Sequence, residues 1–422
     1  MSRIRLKKYL YGGIQFVSIV DENDCPLDVY AAAYINSVLS RKAFNTTVRY
    51  SNELLFALCY FTNRSIDLTA RVANGRLVSY PEYLSFFDFC HHQKSAPLEP
   101  NVIPFLGVED KHLRNAMTAN LRAFSKVSPE TIQGRVRRLR QYLEWLFDEF
   151  HGGKVVTDEV EDRFHKLISK LKLDEQSFGR NSDFNPVSST DSVIPDSVFE
   201  SLKEMILPES KHNPFKSSKV RNYLIVSLLE QTGIRRGALA KLKISDCRFH
   251  GSYDRISIYR ARGSDVSDPR LEKPNQKTRS HEAIVNRSLM EQIKFYIDHI
   301  RPQFNQCNTH DFIFVSEKNS KGTAGLPISL KTINNIFNKL SNSLNFQVHP
   351  HLLRHKWNEK FDAAGEEQNV ERPLLEDMRR NAMGWSPNST MGQTYNDKAI
   401  QRHTVEMMRK HQELVEQKNE GK

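Results

Sequence analysis

Between residues 173 and 192 the chain reads LDEQSFGRNSDFNPVSSTDS, rich in Ser, Asn and Asp and nearly free of aliphatic side chains after its start. A stretch with so little apolar surface cannot sit inside a core, so it reads as a linker and no single core runs through it. The 422 residues therefore divide into an N-terminal part, 1–172, the linker, and a C-terminal part, 193–422. Each part is long enough to bury a core of its own.

Charge narrows the partners. Lys plus Arg number 61 against 50 Asp plus Glu, a formal balance of +11 with pI near 9.3, which favours a polyanion and excludes a strongly acidic surface. No apolar run approaches the ~20 residues that cross a bilayer. The N-terminus, MSRIRLKKYLYGGIQFVSIV, is basic but lacks a long apolar stretch followed by a small-residue cleavage site, so a cytoplasmic location without membrane contact is expected. The five cysteines, Cys25, Cys59, Cys90, Cys247 and Cys307, are odd in number and form no CxxC pair. They read as buried, reduced thiols.

The N-terminal part is helical by pattern. Ser128 and Pro129 cap a helix whose apolar positions, Val136, Leu139, Leu143, Phe147 and Phe150, recur at three- and four-residue spacing. Arg135, Arg137, Arg138 and Arg140 crowd its start, as a solvated face or as a row of phosphate contacts. Residues 28–39 and 47–62 carry the same spacing. The aromatics Tyr83, Phe86, Phe87 and Phe89 read as core. Residues 1–26 show no clear element; Arg3, Arg5, Lys7 and Lys8 read as contacts to a polyanion or as a solvated end. In the C-terminal part Pro195 opens a helix, a second covers 220–230, and residues 242–249, 255–262 and 281–286 alternate or are β-rich, giving a small antiparallel sheet. Helical patterns return from Ser288. The expected class is α+β, mostly helical.

Three segments could carry chemistry. In QTGIRRGALAKLKISD, Arg235 and Arg236 follow a Thr-Gly turn at Gly233, inside a basic stripe that includes Lys241 and Lys243; a guanidinium there presents a planar fork to a phosphate. In HPHLLRHKW, His351 and Arg354 are three apart and share a helical face, so a proton carrier and a fixed cation converge. His351 and His355 also stand at a metal spacing, but the glutamate of HExxH is missing and Arg354 would repel a dication, so no metal is expected. In MGWSPNSTMGQTYND, Gly384 marks a turn and Tyr395 follows; its phenol, pKa ~10, needs cationic neighbours or a base to act as a nucleophile.

Together and in this order the three segments resemble those of the tyrosine recombinase (phage integrase) family. TGIRRGAL resembles the first arginine box, with Arg235 as catalytic arginine; HLLRH resembles the HxxRH box, with His351 and Arg354; MGWSPNSTMGQTY resembles the last box, with Trp385 and the nucleophile Tyr395. KTRSHEAIV supplies Lys277 as the family's hairpin lysine, with Lys273 competing because the stretch 263–276 is long. Ala238 stands where the family has a glutamate, and Trp385 where histidine is commoner. The resemblance implies an N-terminal core-binding domain (1–172), a catalytic domain (193–422), and site-specific cleavage and rejoining of duplex DNA through a 3′-phosphotyrosine, for integration or excision of a mobile element. It implies no cofactor, a homo-tetramer on two duplexes and companion proteins. Arg135, Arg137, Arg138, Arg236 and Lys241 are its candidate DNA contacts. The alternatives are a catalytically silent DNA-binding partner of the same fold and a type IB topoisomerase-like enzyme.

Overall fold

The computed structural model describes residues 4–92, 127–153, 157–180, 194–249, 251, 253–260, 267–320, 322–389, 391–392, 404, 407–408 and 410–412. The chain forms two compact units, Met1–Phe184 and Asn185–Lys422.

The first unit opens with an antiparallel hairpin, β1 (Arg5–Tyr11) and β2 (Ile14–Val20), paired from Arg5 opposite Val20 to Tyr11 opposite Ile14 across a two-residue Gly12–Gly13 turn. Val17 and Ile19, two apart and both buried, turn one face of β2 into the core. Arg5 and Lys7 close on Asp24 at 2.5 and 2.7 Å. A stretch expected to carry no element is thus part of the core wall. Arg3 lies outside the described residues.

Helix α1 (Val29–Ser37) starts at Asp28, whose carboxylate accepts from the amides of Tyr30 and Ala31 and from the Thr69 hydroxyl. Helices α2 (Phe44–Thr62), α3 (Leu68–Ala73), α4 (Tyr80–Cys90) and α5 (Pro129–His151) follow, the last with Pro129 in its first turn. Val136, Leu139 and Leu143 of α5 are buried, as are Tyr83 and Phe86, which pack with Tyr60 and Phe61 as a core cluster. Helix α6 (Asp158–Arg180) lies along α5. The expected linker began at residue 173, but residues 173–180 are the end of α6. Leu171 and Glu175, one turn apart, are both buried there, and the Glu175 carboxylate binds α5 arginines, a polar contact that apolar periodicity does not register. Residues 181–192 lie outside the described residues.

In the second unit α7 (Asp196–Ile206) follows Pro195 at its cap. Helix α8 (Lys219–Thr232) is apolar on several faces; Leu224, Ile225, Leu228 and Leu229 are all fully buried, so it forms the centre of the core. After the single turn α9 (Arg236–Leu239) come β3 (Cys247–Arg248), β4 (Arg255–Ile258) and β5 (His281–Ile284), an antiparallel sheet with Cys247 opposite Ile256 and Ile258 opposite His281. These strands are shorter than expected. Asp246 accepts from the Lys243 amide at 2.8 Å and winds residues 244–246 into one tight helical turn where a strand was expected. Helices α10 (Arg287–Phe295), α11 (Leu330–Leu344), α12 (Pro350–Glu367) and α13 (Arg372–Met383) complete the unit, and α8 packs on α7, α10 and α12. Among the described residues the fold is mostly helical with two small antiparallel sheets. All five cysteines are free thiols, and among the described residues no helix is long and apolar enough to cross a membrane.

Candidate active site

Helix α8 ends at Gly233, whose φ of +61° turns the chain sharply so that Arg235 caps α9 two residues later. The Gly233 carbonyl accepts from Arg354 Nη1 at 2.6 Å, and the Gln231 carbonyl accepts from Trp357 Nε1 at 2.9 Å, so α12 is clamped to the end of α8. Arg354 itself lies in the first turns of α12, which His349 caps by accepting from the Leu352 amide at 3.3 Å. Burial holds His349 below the ordinary imidazole pKa, which keeps that ring nitrogen an acceptor.

Arg354 is 2% exposed, and its guanidinium lies 5.8 Å from the centre of the Trp385 ring. Trp385 is buried beside Met383, Trp357 and Met391, just after the turn at Gly384 that ends α13. From the other side comes the segment leading into β5. Arg235 Nη1 donates to Thr278 Oγ1 at 3.3 Å, and Gln276 Nε2 donates to the same oxygen at 2.5 Å. Lys277 sits between those two residues with its side chain exposed. His281, at the start of β5, is held below the ordinary imidazole pKa by burial and then by the fields of Arg354 and Arg235. Burial and the two arginines thus disfavour the charged form of one and the same ring.

The structure thus brings together Arg235, Arg354, Trp385 and the segment that carries Lys277. His351 is exposed in the first turn of α12, its ring edge-on to that of His355 at 4.4 Å. Tyr395 lies outside the described residues. Gly392, three residues before it, rests against the Glu376 carboxylate of α13, which also accepts from the buried Arg379 at 2.9 Å. Arg270, inside the long stretch before Lys277, donates to the carbonyls of Ala240 and Ile328 at 2.7 Å each and pairs with Asp268. Lys273 follows this anchor and is half-buried. Thr278 and His281 were missed in the sequence because a threonine and a histidine in a short β-rich run carry no spacing signal.

Arg236 is half-buried and donates to Asn334 on α11, and burial lowers its guanidinium pKa; Lys241 is also half-buried. The arginines of α5 require a correction. Arg135 is 5% exposed, donates to the carbonyls of Cys90 and His92 at 2.6 and 2.7 Å, and stacks 3.8 Å above Phe56. Arg138 is 2% exposed, bonded to Glu53 and Gln141 and stacked on Tyr50 at 3.7 Å. Both belong to the interior of the first unit, where their guanidinium groups are bonded to its own carbonyl, carboxylate and amide oxygens. Arg137 is more open but is paired with Glu175 at 2.7 Å.

Residues 200–402 match the model of the phage integrase family. Among solved structures the chain is similar to a XerH site-specific recombinase bound to difH substrate in a pre-cleavage complex (14% identity, 87% of this chain and 90% of that one, TM-score 0.44). It is also similar to XerA recombinase (16%, 90% and 98%, TM-score 0.35) and to the Tn1549 transposon integrase in complex with transposon right end DNA (15%, 81% and 98%, TM-score 0.37). No curated protein matches the chain significantly. The span matched by the family model contains Arg235, Lys277, His351, Arg354, Trp385 and Tyr395, and by that match residues 200–402 are a domain of the phage integrase family.

Proposed function

We propose that this recombinase cleaves and rejoins duplex DNA at a specific site through a 3′-phosphotyrosine, in the integration or excision of a mobile element. The observation that carries this reading is a shared neighbourhood: Arg354 is bonded to the carbonyl of Gly233, two residues before Arg235, and Thr278, next to Lys277, is hydrogen-bonded to Arg235. In the reaction the Tyr395 oxygen attacks phosphorus, the bond to the 5′ oxygen breaks, and charge builds on the non-bridging oxygens. Arg235 and Arg354 bind those oxygens through charge-assisted hydrogen bonds. Lys277 gives its proton to the departing 5′ oxygen, since an alkoxide is a poor leaving group. His351 takes or shares the Tyr395 proton, and Trp385 packs beside the phosphate. The phosphodiester energy is kept in the tyrosyl linkage, so rejoining needs no ATP and no cofactor.

Arg236 and Lys241 flank the pocket in sequence and serve as backbone contacts. Four protomers act on two duplexes with companion proteins. Lys277, rather than Lys273, is the acid because its neighbour Thr278 touches Arg235. The test is a nicked duplex carrying the joined ends of the element that encodes the chain. The wild type is expected to form a covalent adduct that survives denaturing electrophoresis, and Tyr395→Phe to abolish it while still shifting the duplex. Binding without any adduct from the wild type would overturn the reading in favour of a silent DNA binder. Relaxation of plasmids lacking the site would overturn it in favour of a topoisomerase.

A further inference from the structure

The segment bearing Lys277 is fastened at a second point, away from Arg235. The Arg279 amide donates to the Gly384 carbonyl at 2.8 Å. On the other side of the same glycine, a Cβ would meet the Arg279 carbonyl oxygen at 2.7 Å and the His281 imidazole closer still. His281 Nδ1 lies 3.1 Å from that carbonyl oxygen. A carbonyl only accepts, so Nδ1 carries the hydrogen and the ring is wedged between Arg279 and the Gly384 turn. Gly384 holds φ at +62°, and neither that conformation nor the lack of space suits a side chain. The next residue is Trp385, against whose ring Arg354 lies. One turn therefore touches both the lysine segment and the arginine pocket.

We propose that Gly384 and His281 form a clasp that positions Lys277: Thr278 is held by Arg235, Arg279 by Gly384, and the lysine between them is presented on a fixed backbone. The proposal rests on the reading of Lys277 as the acid for the leaving group. Gly384 and His281 act through Lys277 and are positioning residues. The chemistry offers a way to tell this from a structural role. When the P–O5′ bond breaks, its electron pair goes to oxygen, which takes a proton from the Lys277 ammonium. When sulfur replaces that bridging oxygen, the P–S bond breaks and the thiolate leaves without a proton, so any defect confined to the acid disappears.

The experiment uses the full chain as wild type, Lys277→Ala, His281→Ala and Gly384→Ala. Amide hydrogen exchange at Arg279, without DNA, should be slow in the wild type and at least tenfold faster in His281→Ala and Gly384→Ala. Single-turnover cleavage of the nicked duplex described above, with a bridging 5′ oxygen, should fall about 10²-fold in Gly384→Ala, the order expected for a misplacement of about 1 Å, and less in His281→Ala. With bridging sulfur, all three variants should return to within a few-fold of the wild type. Unchanged exchange at Arg279 in the variants, or a loss in them that sulfur does not rescue, would overturn the clasp. A Lys277→Ala defect that sulfur does not rescue would overturn the lysine reading itself, whatever the exchange at Arg279 shows. If Gly384→Ala melts well below the wild type, His281→Ala, which adds no bulk, carries the test.

Discussion

Helix α5 and the turn after α8 both concentrate arginine, at positions 135, 137, 138 and 140 in the first and 235 and 236 in the second, but their partners differ in kind. In α5, Arg138 meets Glu53, Arg137 and Arg140 meet Glu175, and Arg140 also meets Glu144. In the second unit, Arg235 donates to a threonine hydroxyl and Arg354 to a backbone carbonyl. A carboxylate offsets the charge it binds, whereas a neutral oxygen orients a guanidinium without offsetting its charge. The α5 set holds a fold together, Arg137, Arg138 and Arg140 through carboxylates and Arg135 through the carbonyls of Cys90 and His92, whereas Arg235 and Arg354 are the pair proposed to bind the phosphate.

The largest expected effect tests the structural set. Arg138→Ala removes a buried cation and leaves Glu53 without it, so stability of the first unit should fall by about 3–5 kcal/mol, the range for breaking a buried pair. Urea denaturation followed through Trp145, which packs with Tyr142 in that unit, reads the loss. Cleavage by the fraction that remains folded and bound should be unchanged. A variant as stable as the wild type but weakened in DNA binding would reverse the comparison and return this helix to the interface.

The opposite pattern is expected of Arg354→Lys. Lysine keeps the charge but not the fork, so the rate of adduct formation should drop about 10²–10³-fold, the usual loss when one preorganised donor is removed. Affinity for the duplex should stay close to that of the wild type, because phosphate charge is still neutralised, and the melting temperature should fall less than in Arg138→Ala, by the loss of the bond to Gly233 alone. Single-turnover kinetics with saturating enzyme separates the two quantities. A variant that cleaves normally once bound would place Arg354 with the structural arginines.

Much of the second unit was legible in the sequence because its signals are local. Gly233 marked a turn and the structure has one; His351 and Arg354 stood on one helix; Trp385 followed a glycine that ends α13. The α5 arginines misled because their partners are distant. Glu53 and Glu175 lie 85 and 38 residues from Arg138 and Arg137, and no periodicity links them. The β1–β2 hairpin was overlooked for a different reason: its basic residues suggested a solvated end, while the alternation in IQFVSIV was the signal that mattered. The start of the linker was misplaced because the end of α6 is held by ion pairs at Glu175 and by the single aromatic side chain of Phe178 against Phe87, which together make no apolar period. His281 escaped notice because its role comes from packing against Gly384, more than a hundred residues away.

The smallest expected effect distinguishes the two units by the sign of their response to acid. Burial, followed by the fields of Arg354 and Arg235, lowers the folded-state pKa of His281 below the unfolded value of about 6.5. The unfolded chain then binds this proton first as pH falls, so the stability His281 contributes is present above about pH 6.5 and is lost as pH falls through the folded value. Glu53 runs the other way: burial raises its pKa against the pull of Arg138 and Arg49, so its contribution is present below the unfolded value of about 4.3 and is lost as pH rises through the folded one. Between pH 7.5 and 5.5, wild type should therefore lose stability relative to His281→Gln, while relative to Glu53→Gln it should hold or gain. Trp145→Phe in the background leaves Trp357 and Trp385 to report the second unit alone. A difference from His281→Gln that does not change with pH would mean that this imidazole keeps its unfolded affinity for protons, against the effect of its burial.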